Sequence, residues 1–215
     1  MVIIVANLGE QRTVLRNITW STFESLLKDM GEHRASRLIY DRGTLEIMTP
    51  LYEHEKPKEL LTAFVGVLAL ELNIEIARSG STTLKRRDLE RGSEPDSSFY
   101  IENERFVRGK KGIDLRNDPP PDLVIEIDIT SSSLDSFEIY ASLGVPEIWR
   151  YDGNVLQFFG LENGKYIVRD RARSFPFLPV EEVSRFLEMS QTLGETSLLR
   201  EFRAWVRSQL ENQGG

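Results

Sequence analysis

The sequence predicts an α/β protein in which a mixed central sheet is flanked by helices. Two observations lead to this class. Segments with the two-residue alternation of strands are interspersed with segments whose apolar residues recur at helical spacing. The chain also has 215 residues with 40% hydrophobic content, which is enough to bury one sizeable core. We therefore expect a single domain over residues 1–215.

The first elements are a helix, a hairpin and a second helix. Residues 19–30 carry apolar side chains at helical spacing, and Ser21 with Glu24 resembles a capping box. Residues 37–40 and 44–48 flank a short turn containing Gly43, which predicts a β-hairpin. A longer helix, starting near Pro57 and ending near residue 73, is apolar on most of its faces and should pack beneath a sheet.

Strands dominate the next part of the chain, and helices end it. The predicted strands cover residues 74–78, 81–87, 96–102 and 122–129, then 147–151, 155–159 and 165–169. The last two form a C-terminal hairpin across Asn163-Gly164. Predicted helices cover residues 134–143, 180–188 and 197–213.

Composition excludes several function classes. The chain has no cysteine, which rules out disulfides, thiolate zinc sites, iron–sulfur clusters and cysteine nucleophiles, and favours a cytoplasmic location. Neither a secretory signal nor a membrane span is predicted. There is no P-loop and no G-x-G-x-x-G motif, which disfavours nucleotide enzymes.

A formal net charge of −7 disfavours non-specific attraction to nucleic acid. Binding to DNA would depend on local basic patches. One candidate is the run of residues 85–87, and the other is the 103–121 loop with Arg105, Arg108, Lys110, Lys111 and Arg116. Each patch can equally be an ordinary solvated surface.

The strand at residues 122–129 carries the most informative acidic pattern. Leu123, Ile125, Ile127 and Ile129 should face one side of the sheet, and Asp122, Val124, Glu126 and Asp128 the other. Glu126 and Asp128 would then lie roughly 6 to 7 Å apart on one face. Such neighbouring carboxylates can be neutralised by Mg²⁺ or Mn²⁺, or they can form a solvent-exposed polar face. Asp96, which follows Pro95 at the start of an earlier strand, is a second candidate ligand.

Four sequence blocks resemble the Uma-type family of bacterial putative restriction endonucleases, within the PD-(D/E)XK superfamily. These blocks are Ser81-Thr-Thr-Leu-Lys-Arg, Glu94-Pro-Asp-Ser-Ser-Phe-Tyr-Ile, Pro120-Pro-Asp-Leu-Val-Ile-Glu-Ile and Leu143-Gly-Val-Pro-Glu-Ile-Trp-Arg-Tyr-Asp. The resemblance extends over residues 19–186. It implies a restriction-endonuclease-like core. It also implies that Asp96, Glu126 and the backbone carbonyl of Ile127 hold Mg²⁺ or Mn²⁺, and that the reaction is hydrolysis of phosphodiester bonds in DNA.

The sequence departs from that family's pattern at the catalytic lysine. Asp128 stands where the lysine two residues after the glutamate is expected, and Ser136 stands at the alternative helical position, four residues before Tyr140. We keep Asp128 in the candidate catalytic set with Asp96 and Glu126, and add Lys85 as a substitute cation, although Lys85 can equally lie at the surface. Glu46, Glu55 and Glu59 are further candidate ligands.

Three functions remain in competition at this stage. The first is a metal-dependent endonuclease acting on DNA. The second is a nuclease-fold protein that has lost catalysis and serves as a binding or assembly module, which Asp128 and Ser136 favour. The third, a metal-free glycosidase with paired carboxylates, lacks an obvious aromatic sugar cleft. A homodimer would provide two sites for a duplex. The apolar stripe of the last helix offers a surface for it, or can equally pack on its own domain.

Overall fold

The protein contains two six-stranded sheets. The computed structural model describes residues 3–6, 11–31, 36–49, 52–129 and 134–213. The first sheet is antiparallel, with strand order β1-β2-β4-β3-β7-β6. In that order its strands are β1 (Ile3–Ala6), β2 (Gln11–Arg16), β4 (Thr44–Thr49), β3 (Arg37–Asp41), β7 (Arg91–Ser93) and β6 (Leu84–Arg86).

The second sheet is mixed and has the order β12-β11-β10-β9-β8-β5. Its strands are β12 (Lys165–Arg169), β11 (Leu156–Glu162), β10 (Glu147–Tyr151), β9 (Leu123–Ile127), β8 (Ser97–Tyr100) and β5 (Ala77–Arg78). Only β9 and β10 run parallel, and the chain joins them through helix α4 (Ser136–Leu143). This crossover places α4 on one face of the sheet, which is the arrangement that a parallel pair requires.

Five other helices cover the sheets. They are α1 (Trp20–Met30), α2 (Tyr52–Leu72), α3 (Glu104–Val107), α5 (Val180–Met189) and α6 (Glu195–Gln213). Helices α2, α5 and α6 share an apolar cluster with Leu123, Ile125 and Ile127 of β9. Val124 instead joins α4 in a second cluster on the opposite face. The side-chain alternation predicted for this strand is therefore confirmed.

Helix α1 packs against the first sheet on the side away from α4. Its Phe23 stacks on Tyr40 of β3 with 4.8 Å between ring centroids, and Trp20 meets both rings edge-on. Gly92 of β7 lies directly beneath Phe23, where a Cβ atom would approach the Phe23 ring to 3.1 Å. Glycine is therefore needed there for close packing.

The opposite face of the first sheet meets the second sheet. Ile39 and Leu84 join Val124, Ile148 and the apolar face of α4 in one buried cluster. Whether residues 1–215 form one domain stays a prediction, but this shared cluster ties the two sheets together. The site described below lies at the edge of the cluster.

The structure corrects two details of the sequence prediction and decides between two open alternatives for a third. The hairpin of residues 37–48 forms as predicted but belongs to a separate sheet, and the strand predicted at residues 81–87 joins it as the short β6. Helix α2 begins at Tyr52 rather than near Pro57. The apolar stripe of α6 packs internally, because Leu198, Phe202 and Val206 are fully buried against the chain's own core.

A buried carboxylate fixes the segment that follows the C-terminal hairpin. Glu147 is 1% exposed and accepts hydrogen bonds from Trp149 Nε1 at 2.9 Å and from the backbone amides of Arg173 and Ser174 at 2.8 Å. Burial raises the pKa of Glu147, although these hydrogen bonds oppose the shift.

Glu147→Ala should lower the free energy of unfolding by about 3 kcal/mol, because it leaves the buried Trp149 Nε1 and two partly buried backbone amides without an acceptor. Urea denaturation measures the loss. Glu162→Ala, at an exposed position of β11, is the matched control and should change stability by less than about 1 kcal/mol. Equal effects of the two substitutions would contradict the role given to Glu147.

Candidate active site

Asp96 connects the two sheets at the point where β7 passes into β8. Its carboxylate is 5% exposed. Oδ2 accepts a hydrogen bond of 2.6 Å from the backbone amide of Ile127, and Oδ1 accepts one from Nη1 of Arg37 on β3. Contact with the Ile127 amide places the Asp96 carboxylate next to Glu126 along β9. The structure thus joins Asp96 to the Ile127 backbone, which is next to Glu126 in the chain. A metal site at these residues stays a prediction.

Glu94 holds this turn in place. Its Oε2 accepts the backbone amide of Leu38 at 2.9 Å, and its Oε1 accepts the hydroxyl of Thr83. The two acids that flank Pro95 therefore contact different parts of the structure. Glu94 binds β3 and the 79–83 loop, whereas Asp96 binds β9.

Glu126 lies on the face of β9 that points towards α4. Its Oε1 accepts a hydrogen bond from the Tyr140 hydroxyl, which itself accepts one from Ser93 Oγ at 3.1 Å. Burial raises the pKa of Glu126 to about 7, and the negative charge of Asp128 adds to the rise. The Tyr140 hydrogen bond and the charges of Arg37 and Arg12 work in the opposite direction.

The inner face of the first sheet contributes a second set of charges. Glu46 on β4 is 0% exposed and accepts a hydrogen bond of 2.6 Å from Arg12 Nη1 on β2. Both Arg12 and Arg37 act electrostatically on Glu126, which places them beside the same carboxylates. The sequence offered Glu46 as a candidate and missed both arginines, because their contact with the acids depends on how the two sheets pack together.

Asp128, which follows the end of β9, forms an ion pair with an arginine of the neighbouring strand. Arg150 on β10 lies opposite Glu126 in the parallel register, and its side chain reaches forward to Asp128. Arg150 Nη2 lies 2.7 Å and Nε 3.1 Å from Asp128 Oδ2. A cation from the neighbouring strand therefore pairs with the carboxylate that stands where a lysine is expected.

The structure does not bring Lys85 into this cluster. Lys85 pairs with Gly92 in the first sheet, so its side chain lies on the α1 face, and its Nζ is 3.3 Å from Glu24 Oε1. Ser136 is the first residue of α4, one turn before Tyr140, and brings no charge. Glu55 and Glu59 on α2 both pair with Lys58.

The donor set at Asp96 and Glu126 fits a hard divalent cation. Two carboxylates and the adjoining Ile127 backbone offer oxygen ligands, which Mg²⁺ and Mn²⁺ prefer. A bound cation would also relieve the desolvated charge that raises the pKa of Glu126. No three acidic or histidine side chains are grouped for metal binding within the described ranges. Further ligands would therefore be water or substrate, as is usual for Mg²⁺.

Comparisons with known proteins agree with this geometry. The crystal structure of "a putative nuclease belonging to DUF820" from Anabaena variabilis matches with a TM-score of 0.51 and 15% identity, covering 86% of this chain and 99% of that chain. At this identity the likeness shows the fold alone, and it confirms the predicted restriction-endonuclease-like core. No curated protein matches. Residues 20–193 match the profile of Uma2, described as "Putative restriction endonuclease". The chain therefore belongs to the Uma2 family.

Proposed function

We propose that this protein is a Mg²⁺- or Mn²⁺-dependent endonuclease that hydrolyses phosphodiester bonds in DNA. The observation that supports the proposal is the hydrogen bond that Asp96 accepts from the backbone amide of Ile127, the residue that follows Glu126 in the chain. Paired acids at one edge of a nuclease-like fold favour phosphoryl chemistry over the glycosidase alternative.

Asp96, Glu126 and the Ile127 carbonyl would hold the ion. When bound, a divalent cation polarises a phosphoryl oxygen and lowers the pKa of a coordinated water. The chain's own residues prepare the site: Tyr140 orients the Glu126 carboxylate, and Arg37 orients that of Asp96.

The charge balance of the site supports a requirement for a cation. Four carboxylates, those of Glu46, Asp96, Glu126 and Asp128, face three arginines, Arg12, Arg37 and Arg150. A divalent ion bound beside these carboxylates would add positive charge to the site and attract a phosphodiester.

The basic patches named from the sequence lend little support to DNA binding. Arg108 pairs with Glu104, Lys110 with Asp118, and Arg116 with Asp114. In the other patch, Lys85 pairs with Glu24, and Arg86 with Asp88. Partnered cations contribute less to counterion release, so the proposal rests on the acidic site instead.

A binding or assembly module without catalysis is the second candidate. Two observations favour it: Ser136 leaves the helix without a lysine, and Arg37 already occupies one oxygen of Asp96. A module of this kind would bind its partner without turning it over.

The setting of the activity is part of the proposal. The absence of cysteine fits a cytoplasmic location, and no helix among the described residues is long and apolar enough to cross a membrane. A homodimer stays a prediction, and the internal packing of α6 removes the surface first suggested for it.

Calorimetric titration and a cleavage assay together test the proposal. Mg²⁺ and Mn²⁺ should bind the wild type and not the Asp96→Ala/Glu126→Ala double variant, and the wild type should cut supercoiled plasmid DNA only when metal is present. A chelator should stop the reaction. Equal heats for the two proteins would refute the metal site, whereas metal binding and retained DNA affinity without any cleavage would support the binding module.

A further inference from the structure

We propose that Arg150 is the phosphate-binding cation of this site. The inference rests on the proposed nuclease function and deepens it, because it names the group that would contact the substrate backbone. Arg150 lies in the fourth sequence block, between Trp149 and Tyr151 of β10, and was assigned no role in the site from the sequence alone.

The strand register places Arg150 on the correct face. Arg150 lies opposite Glu126 in the parallel pairing of β9 and β10, and partners in register direct their side chains to the same side of the sheet. Its guanidinium extends along the strands to Asp128, which follows the end of β9. The cation is thus held two residues beyond Glu126, at the edge of the candidate metal site.

The guanidinium is oriented and still has donors to spare. Nε and Nη2 both donate to the same oxygen, Oδ2 of Asp128. Arg150 Nη1 has no protein acceptor within the described residues. Arginine presents a planar fork of donors that matches phosphate oxygens, so the remaining donors can bind a phosphodiester while Asp128 fixes the side chain.

Exposure distinguishes Arg150 from the other two arginines of the cluster. Its side chain is 34% exposed, compared with 12% for Arg12 and 10% for Arg37. Arg12 and Arg37 lie deep against Glu46 and Asp96, and reaching a substrate would disrupt those buried pairs. Arg150 can contact a phosphate without leaving its partner.

Phosphoryl transfer requires positive charge where negative charge develops, in addition to a metal ion. Lys85 faces α1, and Ser136 is neutral. Among the residues that the structure describes, Arg150 is a cation at the accessible edge of the cluster, where it can fill this role. Asp128 is then a positioning residue for Arg150 rather than a metal ligand.

The test compares Arg150→Met and Arg150→Lys with Arg173→Met. Arg173 is an exposed arginine that pairs with Glu102 away from the site, so its substitution controls for the loss of one surface charge. Binding of a short fluorescent DNA duplex is measured by anisotropy over a range of salt concentrations, with Ca²⁺ in place of Mg²⁺. Plasmid cleavage is measured separately with Mg²⁺, and circular dichroism reports folding.

Arg150→Met should weaken duplex binding by about 10-fold and slow cleavage by roughly 100-fold. The slope of log affinity against log salt concentration should fall by about one, the amount that corresponds to one lost phosphate contact. Arg150→Lys should retain the salt slope and recover part of the rate. Binding and salt slope equal to those of Arg173→Met would overturn the assignment, whether or not the wild type cuts DNA. Failure of the wild type to cut, by contrast, overturns the proposed function alone.

Discussion

Glu126→Gln should abolish DNA cleavage and at the same time make the folded protein more stable at alkaline pH. The two effects have one cause. The carboxylate of Glu126 is buried and lies near the negative charge of Asp128, so ionising it destabilises the folded protein. A bound cation would offset this destabilisation. Glutamine has the same shape, can still accept the Tyr140 hydrogen bond through its amide oxygen, and cannot ionise.

The sign of the pH dependence follows from the raised pKa. The pKa of Glu126 rises from 4.5 to about 7 on folding, so between these values the folded state binds more protons than the unfolded state. Stability due to this group is therefore highest below pH 4.5 and falls as the pH rises towards 7. Above pH 7 the glutamine variant should be more stable than the wild type by up to about 3 kcal/mol in the absence of metal.

Urea denaturation at pH 5 and pH 8, in the presence of a chelator, measures this difference. Glu138→Gln removes an exposed carboxylate of α4 and controls for the loss of one charge. Adding Mg²⁺ should stabilise the wild type more at pH 8 than at pH 5 and should leave Glu126→Gln nearly unchanged. A glutamine variant less stable than the wild type at pH 8 would show that Glu126 has a structural role.

Cleavage measured on the same preparations completes the prediction. Glu126→Gln should lose at least roughly 1000-fold in rate, because both a metal ligand and the charge that holds the ion are removed. A gain in stability combined with a loss of activity is the signature of a residue retained for function. Unchanged cleavage would remove Glu126 from the site.

The acids of the site could be predicted from local sequence, and their partners could not. Alternation along β9 was enough to place Glu126 and Asp128 on one face, because that inference needs only the two-residue period of a strand. Arg37 meets Asp96 across 59 positions of sequence, through a sheet that the sequence did not separate from the central one. No local pattern encodes such a contact.

Lys85 and Arg150 show how register decides which cation reaches the site. Both lie in strands near the acids, and the sequence alone offered Lys85 as a substitute cation while equally allowing it a surface position. Pairing with Gly92 turns Lys85 towards α1, whereas pairing with Glu126 turns Arg150 towards the acids. A shift of one residue would have exchanged the faces, and only the assembled sheets fix that choice.

Ser136→Lys should raise the cleavage rate by roughly 100-fold. Ser136 and Tyr140 are separated by one helical turn, so their side chains share a face of α4, and Tyr140 already reaches Glu126. A lysine at the first helical position would bring an ammonium group to the carboxylate site, where added positive charge stabilises the phosphoryl transition state. Its cost at a helix N-terminus is about 0.5 kcal/mol, which the fold can tolerate.

Ser142→Lys is the matched control, because it adds the same charge to another face of the same helix. Plasmid cleavage by both variants, with and without Mg²⁺, distinguishes the two candidate functions. If the wild type cuts slowly and only Ser136→Lys accelerates it, the protein is a nuclease that lacks the lysine expected on α4. In that case, the loss of cleavage rate caused by Arg150→Met should be smaller in the Ser136→Lys background. If neither variant cuts DNA while Mg²⁺ still binds at Asp96 and Glu126, the missing lysine is not what limits catalysis, and the binding module becomes the better description.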